Sequence, residues 1–84
     1  MDANEVRLKI KETIERITGI PAAQISDQQS YRDDLALDSL AMLEVAVDAE
    51  YAFGVKIPDE RLPEIRTVED SVRFVCDRLA VANA

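Results

Sequence analysis

Histidine is absent from the sequence, cysteine occurs once and glycine only twice, and each scarcity excludes a class of chemistry. Without histidine the chain can build neither a serine–histidine triad nor an imidazole metal site, so we predict no metal site and no enzyme activity. The lone Cys76 cannot form an internal disulfide, and we expect a buried structural thiol in a reducing compartment. With only Gly19 and Gly54, the glycine-rich loops that cradle nucleotide phosphates are excluded.

Long apolar runs are missing as well. Charged residues interrupt the apolar ones over residues 2–16, so we expect no signal peptide, and no stretch approaches the length of a membrane span. We therefore predict a cytoplasmic protein that does not bind membranes. The 84 residues are 48% hydrophobic and 32% charged, so the chain has enough apolar side chains for one core. It is too short to form two cores. The expectation is a single folded domain, residues 1–84, that acts as a monomer.

The net charge of −7 arises in one segment of the chain. Residues 33–60 contain eight acidic residues and a single base, Lys56, whereas the parts on either side are each neutral. Such a segment repels nucleic acid and anionic lipid and attracts basic protein surfaces. We therefore expect protein partners with basic patches and no binding to nucleic acid. An acidic surface that serves solubility alone is the alternative interpretation.

Hydrophobic spacing predicts an all-α fold, a small four-helix bundle with three main helices, one short helix and a long first loop. The helices are expected over residues 3–18, 40–53, 59–62 (ending before Pro63) and 67 to about 80. Asp38 is placed to cap the second helix, and Gly54 is placed to end it. The loop of residues 20–38 lacks sustained periodicity, so we expect a structured loop with at most one turn of helix.

Ser39 is the serine whose position suggests chemistry. It begins the second predicted helix behind Asp38, so its hydroxyl is expected to lie exposed beside free backbone amides. A phosphate ester formed there would lie where unpaired N–H groups and the helix dipole favour negative charge. Ser71 also follows an aspartate, but it lies a full turn inside the last helix, where the dipole has fallen off. On local physics alone, an ordinary first-turn serine is an equal alternative.

Two motifs stand on either side of the second predicted helix. The first is Asp34-Leu35-Ala36-Leu37-Asp38-Ser39-Leu40, and the second is Ile57-Pro58-Asp59-Glu60. Together they resemble the acyl carrier proteins, and the similarity extends over about residues 6–79. The resemblance implies that Ser39 receives a 4′-phosphopantetheine arm from coenzyme A, whose terminal thiol carries acyl groups as thioesters. It also implies that Asp38 helps to position a magnesium ion and the serine inside the modifying phosphopantetheinyl transferase.

The function that the resemblance implies is delivery of acyl intermediates to enzymes of fatty-acid, polyketide or lipopeptide biosynthesis. The implied partners are the transferase and acyl-loading or acyl-processing enzymes of the acyltransferase, ketosynthase or acyl ligase type. Ala36 and Ala41 stand where carriers of fatty-acid synthesis commonly have glycine and an acid, which favours a polyketide or lipopeptide pathway. The alternatives are a peptidyl or aminoacyl carrier loaded by an adenylating enzyme, and an unmodified acidic helical module that binds proteins.

The second predicted helix has an outward face suited to partner binding when it is wound at about 100° per residue. We call its apolar part the docking strip, which consists of Leu40, Leu43, Val47 and Tyr51. The acidic residues expected to take part in partner binding are Glu44, Asp48, Glu50 and Asp59. Acidic groups would steer basic enzymes to the arm, while the apolar side chains supply desolvated contact. In the alternative interpretation, Leu35 and Leu37 fold over the docking strip and bury it.

The opposite face of the same helix is expected to face the core. Its residues are Met42, Val45, Ala46, Ala49 and Phe53. The small side chains of Ala46 and Ala49 would leave space bordered by Leu62 and Ile65, in which an acyl chain would lodge. Tight packing without a cavity is an equal alternative, because small residues also let helices approach closely.

Overall fold

The computed structural model describes residues 2–82, so Met1, Asn83 and Ala84 of the expected single domain lie outside the described part. Within it lie the long helices α1 (Ala3–Thr18), α2 (Ser39–Phe53) and α3 (Val68–Ala82). Two short 3-10 helices, η1 (Ala22–Gln24) and η2 (Asp59–Glu64), occupy the connections. The described residues form no strand beyond one isolated bridge. The all-α prediction, with three main helices and a long first loop, is confirmed.

Helix α1 has the bounds that its sequence pattern predicts. Asp2 caps its start, since its carboxylate accepts a hydrogen bond from the Glu5 backbone amide at 2.9 Å. Gly19 ends it with a φ of 82°, a left-handed conformation that glycine adopts without steric cost. The buried residues Val6, Ile10 and Ile14 recur every fourth position, which lines one face of the helix with apolar side chains facing the core.

Helix α2 is capped at both ends as predicted and begins at Ser39, directly behind its cap Asp38. The Asp38 side chain accepts a hydrogen bond from the Ala41 amide at 2.8 Å, and Gly54 ends the helix with a φ of 66°. The residues of this helix that are buried are Val45, Ala46, Ala49 and Phe53, while Met42 is half-buried. The predicted inward face is therefore confirmed.

The last two elements extend further than predicted. Helix α3 begins after Thr67, which exchanges side chain-to-amide hydrogen bonds with Asp70 at 3.1 Å. The helix continues to Ala82 rather than ending near residue 80. The expected stop before Pro63 is wrong, because η2 includes that proline and ends at Glu64. A 3-10 helix loses only one donor at a proline, and its N–H groups on either side still bond three residues back.

The loop between α1 and α2 is fastened to the core by four apolar side chains. These are Ile25, Tyr31, Leu35 and Leu37, each at most 4% exposed. The Tyr31 hydroxyl forms a buried hydrogen bond with the Ser71 hydroxyl of α3, and burial raises the pKa of Tyr31, so this phenol stays protonated. The expectation that Cys76 is buried is only partly met, because this free thiol is half-buried.

An ion-pair cluster joins the same loop to α1 and α3. The Asp27 carboxylate lies 2.7 Å from the Arg7 guanidinium and 2.8 Å from the Lys11 ammonium. Its backbone carbonyl accepts the Glu69 amide of α3 at 2.9 Å. The hydrogen bond from Lys11 is the largest cause that lowers the pKa of the Asp27 carboxyl below its usual value. The loop that leads to α2 is thus fixed by polar as well as apolar contacts.

Candidate functional site

Ser39 is the first residue of α2, and its side chain is exposed. Asp38 uses one carboxylate oxygen to cap the helix by accepting the Ala41 amide. Among the described residues, the amides of Ser39 and Leu40 have no hydrogen-bond acceptor. An exposed hydroxyl thus lies beside two free N–H groups at the positive end of a helix dipole, where a phosphate ester would be stabilised.

Ser71, the comparison serine, has a different environment. It is 7% exposed, and its hydroxyl is paired with Tyr31 inside the core. Its backbone amide bonds to the Thr67 carbonyl, so no free helix amide faces it. A modifying enzyme cannot reach this hydroxyl without unfolding α3 from the core.

The turn before Asp38 is strained at Ala36. This residue has a φ of 55°, in the left-handed region, and it is the one residue other than glycine that has a positive φ in the described part. Its neighbours Leu35 and Leu37 are both buried, and the Leu37 amide donates to the Tyr31 carbonyl at 2.8 Å. The chain must reverse between two buried leucines, and this reversal delivers Asp38 and Ser39 to the surface.

An open groove of about 640 Å³ runs beside Ser39. Its walls come from the turn at residues 30–33, from the first residues of α2 and from residues 59–66. Ser39, Met42 and Leu43 form the wall that α2 supplies. The volume lies in the range of ligand pockets, about 300–1,000 Å³. A flexible prosthetic group joined to Ser39 has room to lie here.

Beneath the groove, a core cavity lies where the small residues of α2 predicted it. Ala46, Ala49, Leu62 and Ile65 line it, as expected, but its volume is only about 20 Å³. A space of that size holds about one water molecule. The packing therefore matches the close-packed alternative, and an acyl chain would enter only by displacing Met42, Leu62 and Ile65, which separate the cavity from the groove.

The docking strip on α2 is open to solvent along its whole length. Leu40, Leu43, Val47 and Tyr51 are 68%, 41%, 47% and 87% exposed. The interpretation in which the loop leucines fold over this strip is wrong. Those leucines are buried in the core on the other side of the turn, because the left-handed Ala36 directs the chain inward rather than across α2.

The four acidic residues expected near the strip fall into two pairs. Glu44 and Asp59 are exposed. Asp48 instead forms an ion pair with Arg16 of α1, and Glu50 accepts the Ile57 backbone amide at 2.8 Å. Both of these carboxylates are half-buried and take part in holding the fold. Their position on the flanks of α2, which suggested a rim for the strip, also brings them within reach of neighbouring segments.

Sequence reasoning missed Arg32 and Arg66, which line the groove beside Ser39. No local pattern connects two arginines that are so far apart in the chain. A partial signal is present in the sequence, because an aromatic residue such as Tyr31 in a loop favours burial and its neighbour Arg32 then faces outward. The fold is needed to bring Arg66 alongside.

The geometry described above agrees with comparisons with known proteins. A family model described as "Phosphopantetheine attachment site" matches residues 8–75. The chain belongs to this family, that of the acyl carrier proteins. The family's domain takes phosphopantetheine as its prosthetic group. Acyl carrier proteins work with biosynthetic enzymes as carriers and are not themselves catalysts. The resemblance based on the two motifs is confirmed.

Individual relatives in the acyl carrier protein family cover most of the chain. The acyl carrier protein of Thermobifida fusca is 44% identical over 66 residues, which are 79% of this chain and 84% of that protein. The meromycolate extension acyl carrier protein of Mycobacterium leprae is 48% identical over 71 residues, which are 84% of this chain but 62% of that protein's length. The solved acyl carrier protein of Enterococcus faecalis is similar at a TM-score of 0.79 and 33% identity, with 93% of this chain and 99% of that chain covered.

Two further findings concern the part of this carrier that the structure describes. None of its helices combines the length and apolar character needed to cross a membrane. It also has no group of three or more side chains suited to hold a metal ion.

Proposed function

We propose that this protein carries acyl chains as thioesters on a 4′-phosphopantetheine arm attached to Ser39, and that it delivers them to enzymes that extend or process the chains. The observation that carries the proposal is the exposed Ser39 hydroxyl at the first turn of α2, inside the region that matches the attachment-site family. The surroundings of Ser39 fit the phosphopantetheine group. Free helix amides can bind its phosphate, and the adjoining groove has room for its pantetheine part.

The arrangement around Ser39 indicates how the work is divided between carrier and transferase. One oxygen of Asp38 is occupied by the Ala41 amide, and among the described residues no side chain is hydrogen-bonded to the Ser39 hydroxyl. Activation of the hydroxyl must therefore come from the transferase. The second oxygen of Asp38 stays available to contact a cation held by that enzyme, so Asp38 both begins the helix and orients the serine.

The docking strip supplies the surface on which partner enzymes bind. Its four exposed apolar residues run along α2 from Leu40, next to Ser39, to Tyr51, and the exposed carboxylates of Glu44 and Asp59 lie in the segment that holds the whole net charge. Negative charge raises the association rate with basic enzymes, and a small apolar contact keeps residence short. Asp48 and Glu50 contribute to the field and are less free to form contacts, since each is engaged within the fold.

The pathway is proposed from the relatives. Several are named for meromycolate extension, which is growth of an acyl chain, so we propose a carrier for acyl-chain extension of the fatty-acid type. Ala36 and Ala41 are the residues that favoured a polyketide or lipopeptide pathway. We further propose that the domain works as a monomer in the cytoplasm. Chemistry supports the location, because the free thiol of the arm stays reduced, and so able to accept an acyl group, in a reducing compartment.

Intact-mass measurement tests the attachment. Incubation with a phosphopantetheinyl transferase and coenzyme A should add the mass of one arm to the wild-type protein. Ser39→Ala should stay folded and unmodified, and the matched variant Ser71→Ala should still gain one arm, since Ser71 is buried. An arm on Ser39→Ala, or a wild-type protein that stays unmodified with an active transferase, would contradict the proposal. Loading of the holo protein by an amino-acid adenylating enzyme, rather than an acyl-loading one, would identify a peptidyl carrier instead.

A further inference from the structure

Two exposed arginines, Arg32 and Arg66, line the groove beside Ser39. Neither forms an ion pair with any residue between positions 2 and 82, whereas Arg7, Arg16 and Arg61 each do. The groove belongs to the most acidic part of the fold, and Asp33 and Asp59 also line it. Guanidinium groups left unpaired in such surroundings are available to another anion.

The backbone places the two arginines next to each other. Ser30 and Thr67 form an isolated antiparallel bridge, and the Tyr31 amide donates to the Arg66 carbonyl at 2.9 Å. The Arg66 amide is in turn held by the Asp70 carboxylate at 3.0 Å. Because these bonds join the two segments, Arg32 and Arg66 enter the groove from adjoining stretches of backbone. Such a pair is stabilised when an oxyanion lies between or beside the charges.

We propose that Arg32 and Arg66 bind the phosphodiester of the arm on Ser39 and hold the arm in the groove between transfers. This inference rests on the proposed function. The phosphodiester is covalently joined to Ser39, so its effective concentration at the groove is high and weak ion pairs are sufficient. Asp33 and Asp59 oppose the binding by charge, which keeps it weak and reversible, so a basic partner can release the arm by competing for the phosphodiester.

The rest of the groove suits the remainder of the arm. Met42, Leu43, Leu62 and Ile65 give it apolar contact surface, and pantetheine contains a dimethyl-substituted carbon and short methylene chains. The Ser30 hydroxyl, whose oxygen accepts the Asp33 amide at 3.2 Å, can donate its proton to an amide carbonyl of pantetheine. The arm therefore has complementary surface over its length, with the arginines at its charged end.

Amide chemical shifts of the apo and holo proteins provide the test, after intact mass has shown that the arm is attached. In the wild type, arm attachment should shift residues 30–33 and 62–66 as well as residues 38–41. In the double variant R32Q/R66Q the shifts of the two distant segments should disappear and those of 38–41 remain. The control R73Q changes an exposed arginine of α3 outside the groove, and it should behave as the wild type.

A wild-type protein whose shifts are confined to residues 38–41 would overturn the inference, and so would distant shifts that persist in the double variant. Failure to attach any arm would instead refute the proposed function. If the double variant is unfolded, a salt titration of the wild-type holo protein tests the role of the arginines instead. The distant shifts should fade at about 1 M salt, because the Debye length is then about 3 Å and exposed ion pairs are screened. Persistence at that salt concentration would overturn the role of the arginines.

The reactivity of the arm's thiol gives a second readout. Alkylation by iodoacetamide should be about two- to fivefold faster in holo R32Q/R66Q than in the wild type, the range that exposed ion pairs support. Peptide-resolved mass spectrometry separates this thiol from Cys76. Proteins loaded with acetyl or succinyl groups test whether the arginines bind the phosphodiester or a carboxylate of the cargo. Distant shifts in both proteins would support the phosphodiester. Distant shifts with the succinyl group alone would assign the arginines to the cargo carboxylate and overturn the proposal.

Discussion

Replacing Ala36 with glycine should stabilise this protein, although glycine usually destabilises when it replaces alanine. Ala36 has a φ of 55°, which brings the Cβ atom of an L-residue close to the backbone. The strain cannot relax locally, because Leu35 and Leu37 are buried on either side and the Leu37 amide is bonded to the Tyr31 carbonyl. Any rotation at Ala36 would withdraw a leucine from the core.

The size of the effect follows from two opposing terms. A left-handed conformation costs an L-residue roughly 1–2 kcal/mol, and glycine removes that cost. Glycine also makes the unfolded chain more flexible, which costs about 0.4–1 kcal/mol. The midpoints leave a net gain of about 0.8 kcal/mol for Ala36→Gly, which corresponds to a rise in Tm of about 3–6 °C for a domain of this size.

Thermal and urea unfolding followed by far-UV circular dichroism measures this gain. The matched control is Ala52→Gly, an exposed alanine in ordinary helical conformation near the end of α2, which should lose up to about 1 kcal/mol. Opposite signs for the two substitutions would show that the backbone angle, and not the residue type, determines the outcome. If Ala36→Gly lowers stability as much as the control does, the left-handed turn and the argument built on it are refuted.

Three other substitutions test separate features of the fold. Leu43→Glu should stay within about 0.5 kcal/mol of the wild type and lose turnover with partner enzymes; clear destabilisation would place Leu43 in the core. Gly54→Ala adds a side chain at a φ of 66° and by the same two opposing terms should cost about 0.8 kcal/mol in urea unfolding, against a gain of about 0.4–1 kcal/mol if that turn were unstrained. Asp27 has a lowered pKa, so its pairs with Arg7 and Lys11 add stability that is complete above its ordinary pKa of 3.8 and is lost as the pH falls through the lowered value. Asp27→Asn should therefore lower Tm at neutral pH and have little effect in strong acid; an equal loss at both pH values would contradict this.

The helices were predictable because their signals are local. The caps Asp2, Asp38 and Thr67 and the stops Gly19 and Gly54 lie within a few residues of the ends that they determine, so α1 and α2 were placed to within one residue. The 3-10 helix η2 and the end of α3 at Ala82 were placed less well. The 3-10 helix η2 runs through a proline because its flanking bonds compensate.

The candidate site was predictable in part. Helix geometry predicts Ser39, its cap and the exposed strip. The sequence of α2, wound at about 3.6 residues per turn, shows which side chains face the core and which face outward. The tertiary roles of Asp48 and Glu50 do not follow from α2 alone, because their partners Arg16 and Ile57 lie on other segments. The groove could not be predicted from the sequence either, because its walls come from three separate segments of the chain.

The strained turn and the exposed serine are two consequences of one requirement. A carrier needs its attachment point fixed on the surface, so that each partner meets the arm at the same place, yet the residues next to it must be anchored in the core. Leu35 and Leu37 supply that anchor, and Ala36 bears the conformational cost between them. The side chain of Asp38 then begins α2 at once, with Ser39 in its first turn. Under the proposed function, presentation of Ser39 therefore depends on the leucines buried two and four residues before it and on one helix cap, while the chemistry at its hydroxyl is left to partner enzymes.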